Sequence, residues 1–255
     1  MKQLVNMCSK NRAGVRATAG RTEDFARLYA RENPLSLTLR NVRRRGIVGT
    51  FKAMFRLAVD IAFDLRYGTD TIRCAQMNML DFESEHKECA TLYQASEAQP
   101  LRGLMRKLDL PKDGSFVDLG AGKGRVLLIA AQFGFKRVIG VEFSRELCEI
   151  ARENVRAFAR KTQTAARIEI VEFDVANYPI ESDSNVFFMF NPFDEVVLTQ
   201  FLTNLRSSLT RFPRKIWLIY NNPIHDAAVH KSELFCACRE YEVNQTRFKV
   251  YQNKP

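Results

Sequence analysis

A glycine-rich turn between a buried strand and a helix is the feature that most constrains the fold of this 255-residue chain. The turn reads VDLGAGKG at residues 117–124. It follows a short apolar strand predicted at Ser115–Leu119 and opens an apolar helix predicted at Gly124–Phe133. Glycines allow a sharp backbone turn and let a ligand approach main-chain N–H groups. The context therefore predicts a ligand-binding turn in an α/β fold.

Two classes of cofactor bind at turns of this kind, and the residues discriminate between them. The dinucleotide fingerprint G-x-G-x-x-G requires glycine or alanine at position 125, where this chain has Arg125. The glycines are Gly120, Gly122 and Gly124, and Asp118 stands two residues before the first of them. A carboxylate at the end of the strand repels a pyrophosphate and attracts a cation. These residues favour a nucleoside ligand that carries positive charge and no phosphate.

Acidic residues also follow the next two predicted strands. Glu142 ends the strand Arg137–Glu142, where a carboxylate can accept both ribose hydroxyls, and Phe143 can lie against an adenine face. Asp174 follows the strand Arg167–Glu172 and can accept from the exocyclic amine of the base. The carboxyl ends of neighbouring parallel strands share one edge of the sheet, so the three acids are expected to converge on one crevice.

The remainder of the chain continues the alternation of strands and helices. Helices are predicted at 100–110, 144–161 and 194–211, and strands at 185–190, 215–220, 234–240 and 247–252. Such alternation predicts a doubly wound, mostly parallel α/β sheet with helices on both faces. The domain division expected from the sequence is a disordered basic start at 1–21, a helical extension at 22–92, and the α/β domain at 93–255.

Together these residues resemble the class I S-adenosylmethionine-dependent methyltransferases, over about residues 93–252. The resemblance implies a Rossmann-like, seven-stranded sheet with a reversed last strand, and S-adenosyl-L-methionine as cofactor. It also implies roles for the residues named above. Gly120, Gly122 and Gly124 would wrap the methionine and ribose, Asp118 would meet the methionine ammonium, Glu142 would hold the ribose hydroxyls, and Asp174 would hold the adenine amine.

The candidate acceptor side follows the fourth strand, at Asn191, Pro192 and Phe193. Amino methyltransferases of this class carry (Asp/Asn/Ser)-Pro-Pro-(Tyr/Phe/Trp) there, and this chain is one proline short. An Asn oxygen and the following carbonyl can accept hydrogen bonds from an amine, and a neighbouring aromatic ring can stabilise developing positive charge. The alternative is a plain strand-to-helix turn in which Asp194 caps the next helix. A second polar turn follows the fifth strand and offers Asn221, Asn222 and His225 as further acceptor-side candidates, His225 as a possible base, with a plain loop as the alternative.

The sequence is compatible with several methyl acceptors. The segment Tyr93–Ser96 loosely resembles the element that closes over the cofactor in histone-lysine methyltransferases of the seven-stranded type, but their Asn-Asn-Phe motif is absent. N-methylation of a protein, nucleic acid or small molecule is the leading hypothesis. A small-molecule O-methyltransferase and a non-catalytic nucleic-acid-binding protein are the alternatives.

The positive charge is confined to the N-terminal region. Residues 1–56 contain 13 Lys and Arg against three acids, whereas residues 57–255 contain 26 of each. The basic arm therefore suggests an acidic macromolecular partner, and the balanced charge of the main domain argues against generic nucleic-acid binding by that domain. A helix predicted at 49–66 carries apolar residues at helical spacing, among them Ile61 and Leu65, that are expected to pack on the main domain. Its alternative is contact with a membrane surface, against which Asp60 and Asp64 count.

Localisation and metal content follow from weaker signals. Six scattered cysteines predict free thiols in a reducing compartment, and no metal site is expected. A cytoplasmic location is expected, with an organellar transit segment at residues 1–22 as the alternative.

Overall fold

The computed structural model describes residues 34–72, 96–191 and 193–254. The predictions made for residues 1–33, for Tyr93 and its neighbours, and for Pro192 lie outside these ranges. By internal contacts the chain divides into two units, Met1–Phe55 and Arg56–Pro255. The domain division expected from the sequence stays a prediction.

The second unit contains a seven-stranded sheet. Its strands are β1 (Ser115–Leu119), β2 (Arg137–Glu142), β3 (Arg167–Glu172), β4 (Ser184–Met189), β5 (Trp217–Asn221), β6 (Ala237–Val243) and β7 (Thr246–Gln252). Their order across the sheet is β3-β2-β1-β4-β5-β7-β6. Strands β1 to β5 pair in parallel, and β7 runs antiparallel to both β5 and β6. The predicted doubly wound sheet with a reversed last strand is confirmed.

Helices cover both faces of the sheet. They are α1 (Pro34–Tyr67), α2 (Ala98–Met105), α3 (Arg125–Gln132), α4 (Arg145–Thr162), α5 (Glu195–Arg211) and α6 (Asp226–Lys231). One apolar cluster joins α2 and α3 to Phe116 of β1, and the other joins α5 and α6 to Val117 and Leu119. Since side chains alternate along a strand, Asp118 lies on the face that α3 covers.

Local sequence signals explain most element boundaries. Ser144 caps α4 as predicted, because its side chain accepts a hydrogen bond of 3.3 Å from the N–H of Leu147. Helix α6 and a 3₁₀ turn at Val175–Asn177 were not predicted. Both are too short to show a helical period in the sequence.

Helix α1 departs most from the prediction. It is longer than residues 49–66, and Gly46 interrupts it with a φ of 71°. In the second unit, Phe63 and Tyr67 are buried, whereas Ile61 and Leu65 are 44% and 78% exposed. The prediction that Ile61 and Leu65 pack on the main domain is therefore wrong. The reason is electrostatic, because the acidic residues of α1 are turned inward to a buried arginine described below.

In the described part of the chain, no helix is long and apolar enough to cross a bilayer.

Candidate active site

The glycine turn between β1 and α3 needs glycine at each of its three glycine positions. Gly120, Gly122 and Gly124 have φ values of 76°, 51° and 83°, a region that residues with a Cβ rarely adopt. The N–H groups of Gly120 and Ala121 donate to the carbonyl of Val141 at 2.9 and 3.0 Å. The turn is therefore held against the end of β2.

Glu142 at the end of β2 is buried beside this turn. Its Oε2 accepts a hydrogen bond of 2.8 Å from the N–H of Gly122, and its Oε1 accepts one of 3.0 Å from the N–H of Ser144. Burial raises the pKa of the Glu142 carboxyl, and backbone N–H groups, Ser144 first, lower it. A carboxylate oxygen has two lone pairs, so each oxygen retains the capacity to accept a hydroxyl.

Asp118 is buried in the neighbouring strand. Burial, and then the charge of Glu142, raise the pKa of the Asp118 carboxyl well above its ordinary value. Two carboxylates thus repel each other in a poorly solvated crevice, and a positive ligand group would relieve that repulsion. This arrangement favours binding of a cationic cofactor and disfavours binding of a pyrophosphate.

Asp174 and Phe143 lie at the same edge of the sheet. β2 and β3 pair in register up to Glu142 and Glu172, so the segments that follow the two strands start side by side. Asp174 is partly buried, and its Oδ1 accepts a 2.9 Å hydrogen bond from the N–H of Ala176. Phe143 is partly buried. The structure places these residues at the edge where the sequence predicted the adenine, and their roles stay predictions.

The two polar turns after β4 and β5 are joined. Asn191 has a left-handed φ of 41°, and its Nδ2 donates to the carbonyl of Asn222 at 2.6 Å. Asn221 is only 3% exposed, and its buried Oδ1 has no hydrogen-bond partner among the described residues. A buried oxygen without a hydrogen-bond partner is uncommon and calls for a ligand, a water molecule or a catalytic role to explain it. This part of the sheet edge is therefore the candidate acceptor side.

The contacts of Phe193, Asp194 and His225 in the structure are ones that stabilise the fold. Phe193 is buried in the apolar cluster beneath α5. Asp194 caps α5, because its Oδ1 accepts from the N–H groups of Val196 and Val197 at 3.0 and 3.1 Å. His225 precedes α6, and its N–H donates to the hydroxyl of Tyr220 at 3.2 Å. The capping role of Asp194 is confirmed, and the acceptor roles of Phe193 and His225 stay predictions.

Two positions that support the turn were missed by sequence reasoning. A Cβ on Gly140 of β2 would lie 2.6 Å from Leu127 Cδ1 and 2.8 Å from Ala121 Cβ, so only glycine lets the turn approach β2. Asn154 of α4 donates to the carbonyl of Lys123 at 2.9 Å and accepts from the N–H of Asp70 at 2.7 Å. A glycine inside a strand was the available signal for Gly140.

Arg125 also serves the turn in a way that its sequence position did not reveal. Its guanidinium is buried, with Nη1 2.8 Å from Asp60 and Nη2 3.7 Å from Asp64. Its Nε donates to the hydroxyl of Thr71 at 2.7 Å. The charge of Arg125 is thus engaged with α1 and the segment after it, which further disfavours a phosphate ligand.

The seven-stranded sheet with its reversed strand, and the acids at the ends of β1 and β2, agree with the resemblance of the sequence to class I S-adenosylmethionine-dependent methyltransferases. The model of the family described as "Histone methylation protein DOT1" matches residues 77–176. That range is less than half of the chain and ends before β4, so it includes the glycine turn, Glu142 and Asp174 and excludes the candidate acceptor side.

The solved structures to which this chain is similar include the following three. A SAM-dependent methyltransferase from Aquifex aeolicus is 15% identical with a TM-score of 0.48, and the match covers 60% of this chain and 88% of the other. An RNA methyltransferase from Salinibacter ruber in complex with S-adenosyl-L-homocysteine is 19% identical with a TM-score of 0.44, covering 61% and 91%. PH0226 from Pyrococcus horikoshii OT3 is 17% identical with a TM-score of 0.48, covering 71% and 97%. Likenesses of this degree do not discriminate among acceptors.

Proposed function

We propose that this chain transfers a methyl group from S-adenosylmethionine to an amine nitrogen of its acceptor. The observation that carries the proposal is the pair of asparagines at the ends of β4 and β5, where the buried Oδ1 of Asn221 lacks a hydrogen-bond partner among the described residues. A carboxamide oxygen accepts a hydrogen bond from an N–H group, which a neutral amine offers. Binding an amine there would satisfy an oxygen whose burial is otherwise costly.

The cofactor side supports the proposal through its charge. Asp118 and Glu142 would hold the ammonium and the ribose hydroxyls, and Gly120, Gly122 and Gly124 would admit the cofactor close to the backbone. S-adenosylmethionine supplies a methyl group that is already activated by the sulfonium. The chain therefore has to orient the acceptor, exclude water and favour its neutral form, and it needs no nucleophilic side chain.

Asn191 and Asn221 would do the orienting. Asn191 follows β4 and Asn221 ends β5, and the hydrogen bond from Asn191 Nδ2 to the Asn222 carbonyl links the two segments. An acceptor amine whose N–H group donates to a fixed oxygen has its nitrogen lone pair held in one direction. A buried site lowers the pKa of an amine, so the acceptor would lose its proton to solvent before it reacts.

A protein lysine is one acceptor consistent with this chemistry. The family whose model matches residues 77–176 is named for histone methylation. The match ends at residue 176 and does not include Asn191 or Asn221. It therefore gives no support for a particular acceptor. The proposal is therefore made for an amine nitrogen, and N-methylation of a nucleic acid or a small molecule belongs to the same hypothesis.

Calorimetry and a transfer assay test the proposal in two steps. S-adenosylmethionine should bind the full chain and lose most of its affinity in Glu142→Ala, whereas Glu146→Ala, an exposed acid one turn away, should bind normally. Tritiated methyl from the cofactor should then enter amine nitrogens of one fraction of a cell extract separated into protein, RNA, DNA and small molecules. Absence of cofactor binding by the parent chain would refute the proposal, and label recovered as a methyl ether or ester would refute N-methylation.

A further inference from the structure

Helix α1 carries most of the large apolar side chains that are exposed in the described residues. They are eight of twelve, namely Ile47, Val48, Phe51, Met54 and Phe55 in the first unit, and Leu57, Ile61 and Leu65 in the second. Single exposed apolar side chains are ordinary, but their concentration on one helix marks an interaction surface. We call these eight residues the apolar side chains of α1.

The acids of α1 do not interrupt this surface. In the second unit, Asp60 and Asp64 are largely buried because they pair with Arg125. Asp64 also accepts from the N–H groups of Thr71 and Ile72 at 2.9 and 3.1 Å. The sequence objection to membrane contact, which rested on these two acids, is thereby removed.

The N-terminal part of the helix is strongly basic. Residues 34–56 contain six Lys and Arg and no acid. In the first unit, Arg43 and Lys52 are exposed, and so are Ile47 and Phe51, the latter by 71%. Basic residues interleaved with Phe, Ile and Leu at helical spacing are typical of helices that lie in the interface of an anionic membrane.

We propose that α1 binds the surface of an anionic lipid bilayer. The apolar side chains would enter the boundary between headgroups and acyl chains, while the basic residues would contact lipid phosphates. A second copy of this chain that pairs through α1 is a poorer occupant, because the two basic segments would repel each other and the acids of α1, Asp60 and Asp64, are engaged with Arg125. A nucleic acid would contact the arginines but leave the apolar side chains in water.

Vesicle flotation with the full chain tests the proposal. The vesicles are phosphatidylcholine alone and phosphatidylcholine with phosphatidylglycerol at about 3:1, the latter at low salt and in about 0.5 M NaCl, where surface charge is screened. The variant is Phe51→Asp/Leu65→Asp, which places acids at two exposed positions of α1. The matched control is Val196→Asp/Phe212→Asp, because both residues are exposed apolar residues of the α5 region.

The expected result is flotation with the anionic vesicles, reduced by salt and at least about tenfold weaker in the α1 variant. The control variant should float as the parent does, and circular dichroism should show both variants folded. Equal flotation of the parent and the α1 variant would overturn the proposal, as would failure of the parent to float. Dimerisation of the parent, detected by sedimentation velocity and lost in the α1 variant, would show that a second copy covers the surface instead.

Discussion

The guanidinium of Arg125 lies 2.8 Å from the carboxylate of Asp60. Arg125 is the first residue of α3, the helix that follows the glycine turn. Asp60 also accepts a 3.2 Å hydrogen bond from the N–H of Ala98, which starts α2. Burial raises the pKa of Asp60, and the charge of Arg125 opposes that rise. The pair thus connects α1, α2 and the glycine turn, and Arg125 stands at the position where a dinucleotide fingerprint requires glycine or alanine.

Replacing Arg125 by Met should destabilise the protein severely. The change leaves Asp60 and Asp64 without their buried cation, and such uncompensated charges cost about 3–5 kcal/mol. Urea unfolding measures the loss. The control is Arg145→Met, which removes an exposed pair with Glu149 and should cost no more than about 1 kcal/mol. Equal losses in the two variants would contradict a structural role for the buried pair.

Gly140→Ala should weaken both folding and cofactor binding. The new Cβ would press on Leu127, which can rotate, and on the Cβ of Ala121, which is fixed to the backbone of the turn. Overpacking of this kind costs about 1–3 kcal/mol. Thermal unfolding and calorimetry with S-adenosylmethionine measure the two effects.

The Ala121→Gly variant provides the matched test for this clash. Adding Ala121→Gly to Gly140→Ala removes the contact between the two Cβ atoms and should restore part of the loss, which a double-mutant cycle reports as coupling. Strict additivity of the two changes would contradict the proposed clash.

The sheet and the cofactor edge were predictable because their signals are local. Apolar runs, turn residues and an acid at each strand end are all read within a few residues, and parallel strands bring those ends to one edge. Asp118, Glu142 and Asp174 therefore lie at the sheet edge where they were expected, and their roles toward a cofactor stay predictions. The capping choice at Asp194 could not be decided from the sequence, since a cap and an acceptor motif occupy the same turn.

The orientation of α1 could not be read because both of its sides carry large apolar residues. Ile61 and Leu65 follow the helical period as well as Phe63 and Tyr67 do. Arg125, about sixty residues further along the chain, determines which side of α1 is buried, because it pairs with Asp60 and Asp64. A period reports that a helix is amphipathic, but a buried ion pair with a distant residue decides which side faces inward.

Asn191→Ala and Asp194→Ala should separate the acceptor role from the capping role. Loss of the Asp194 cap should lower the free energy of unfolding by about 1 kcal/mol with little change in transfer rate once the protein is folded. Loss of the Asn191 carboxamide should lower kcat by about tenfold or more while S-adenosylmethionine affinity stays unchanged. Urea unfolding, calorimetry and single-turnover transfer measure these three quantities. A reduced cofactor affinity in Asn191→Ala would place that residue on the cofactor side instead.

Asp118 should give cofactor binding a dependence on pH. Its pKa in the ligand-free protein is raised by burial and by Glu142, so folding favours the protonated form. A cationic ligand favours the ionised form, and binding at a pH below the raised pKa therefore releases a proton. Affinity for S-adenosylmethionine should rise with pH, by up to about tenfold per unit, until the pH passes the pKa of the free protein.

Asp118→Asn should therefore change stability and affinity in opposite directions. The raised pKa means that the carboxyl costs folding free energy increasingly as the pH rises from 3.8, its ordinary value, through the pKa in the folded state. An uncharged amide of the same shape avoids that cost, so the ligand-free variant should be more stable than the parent at neutral pH. The variant should bind S-adenosylmethionine more weakly, with a flatter pH profile. Thermal unfolding without ligand and calorimetry across pH measure both effects, and Asp113→Asn, an exposed change near the start of β1, is the control. A variant that is less stable and binds the cofactor as tightly as the parent would contradict the assignment of Asp118 to the cationic end of the ligand.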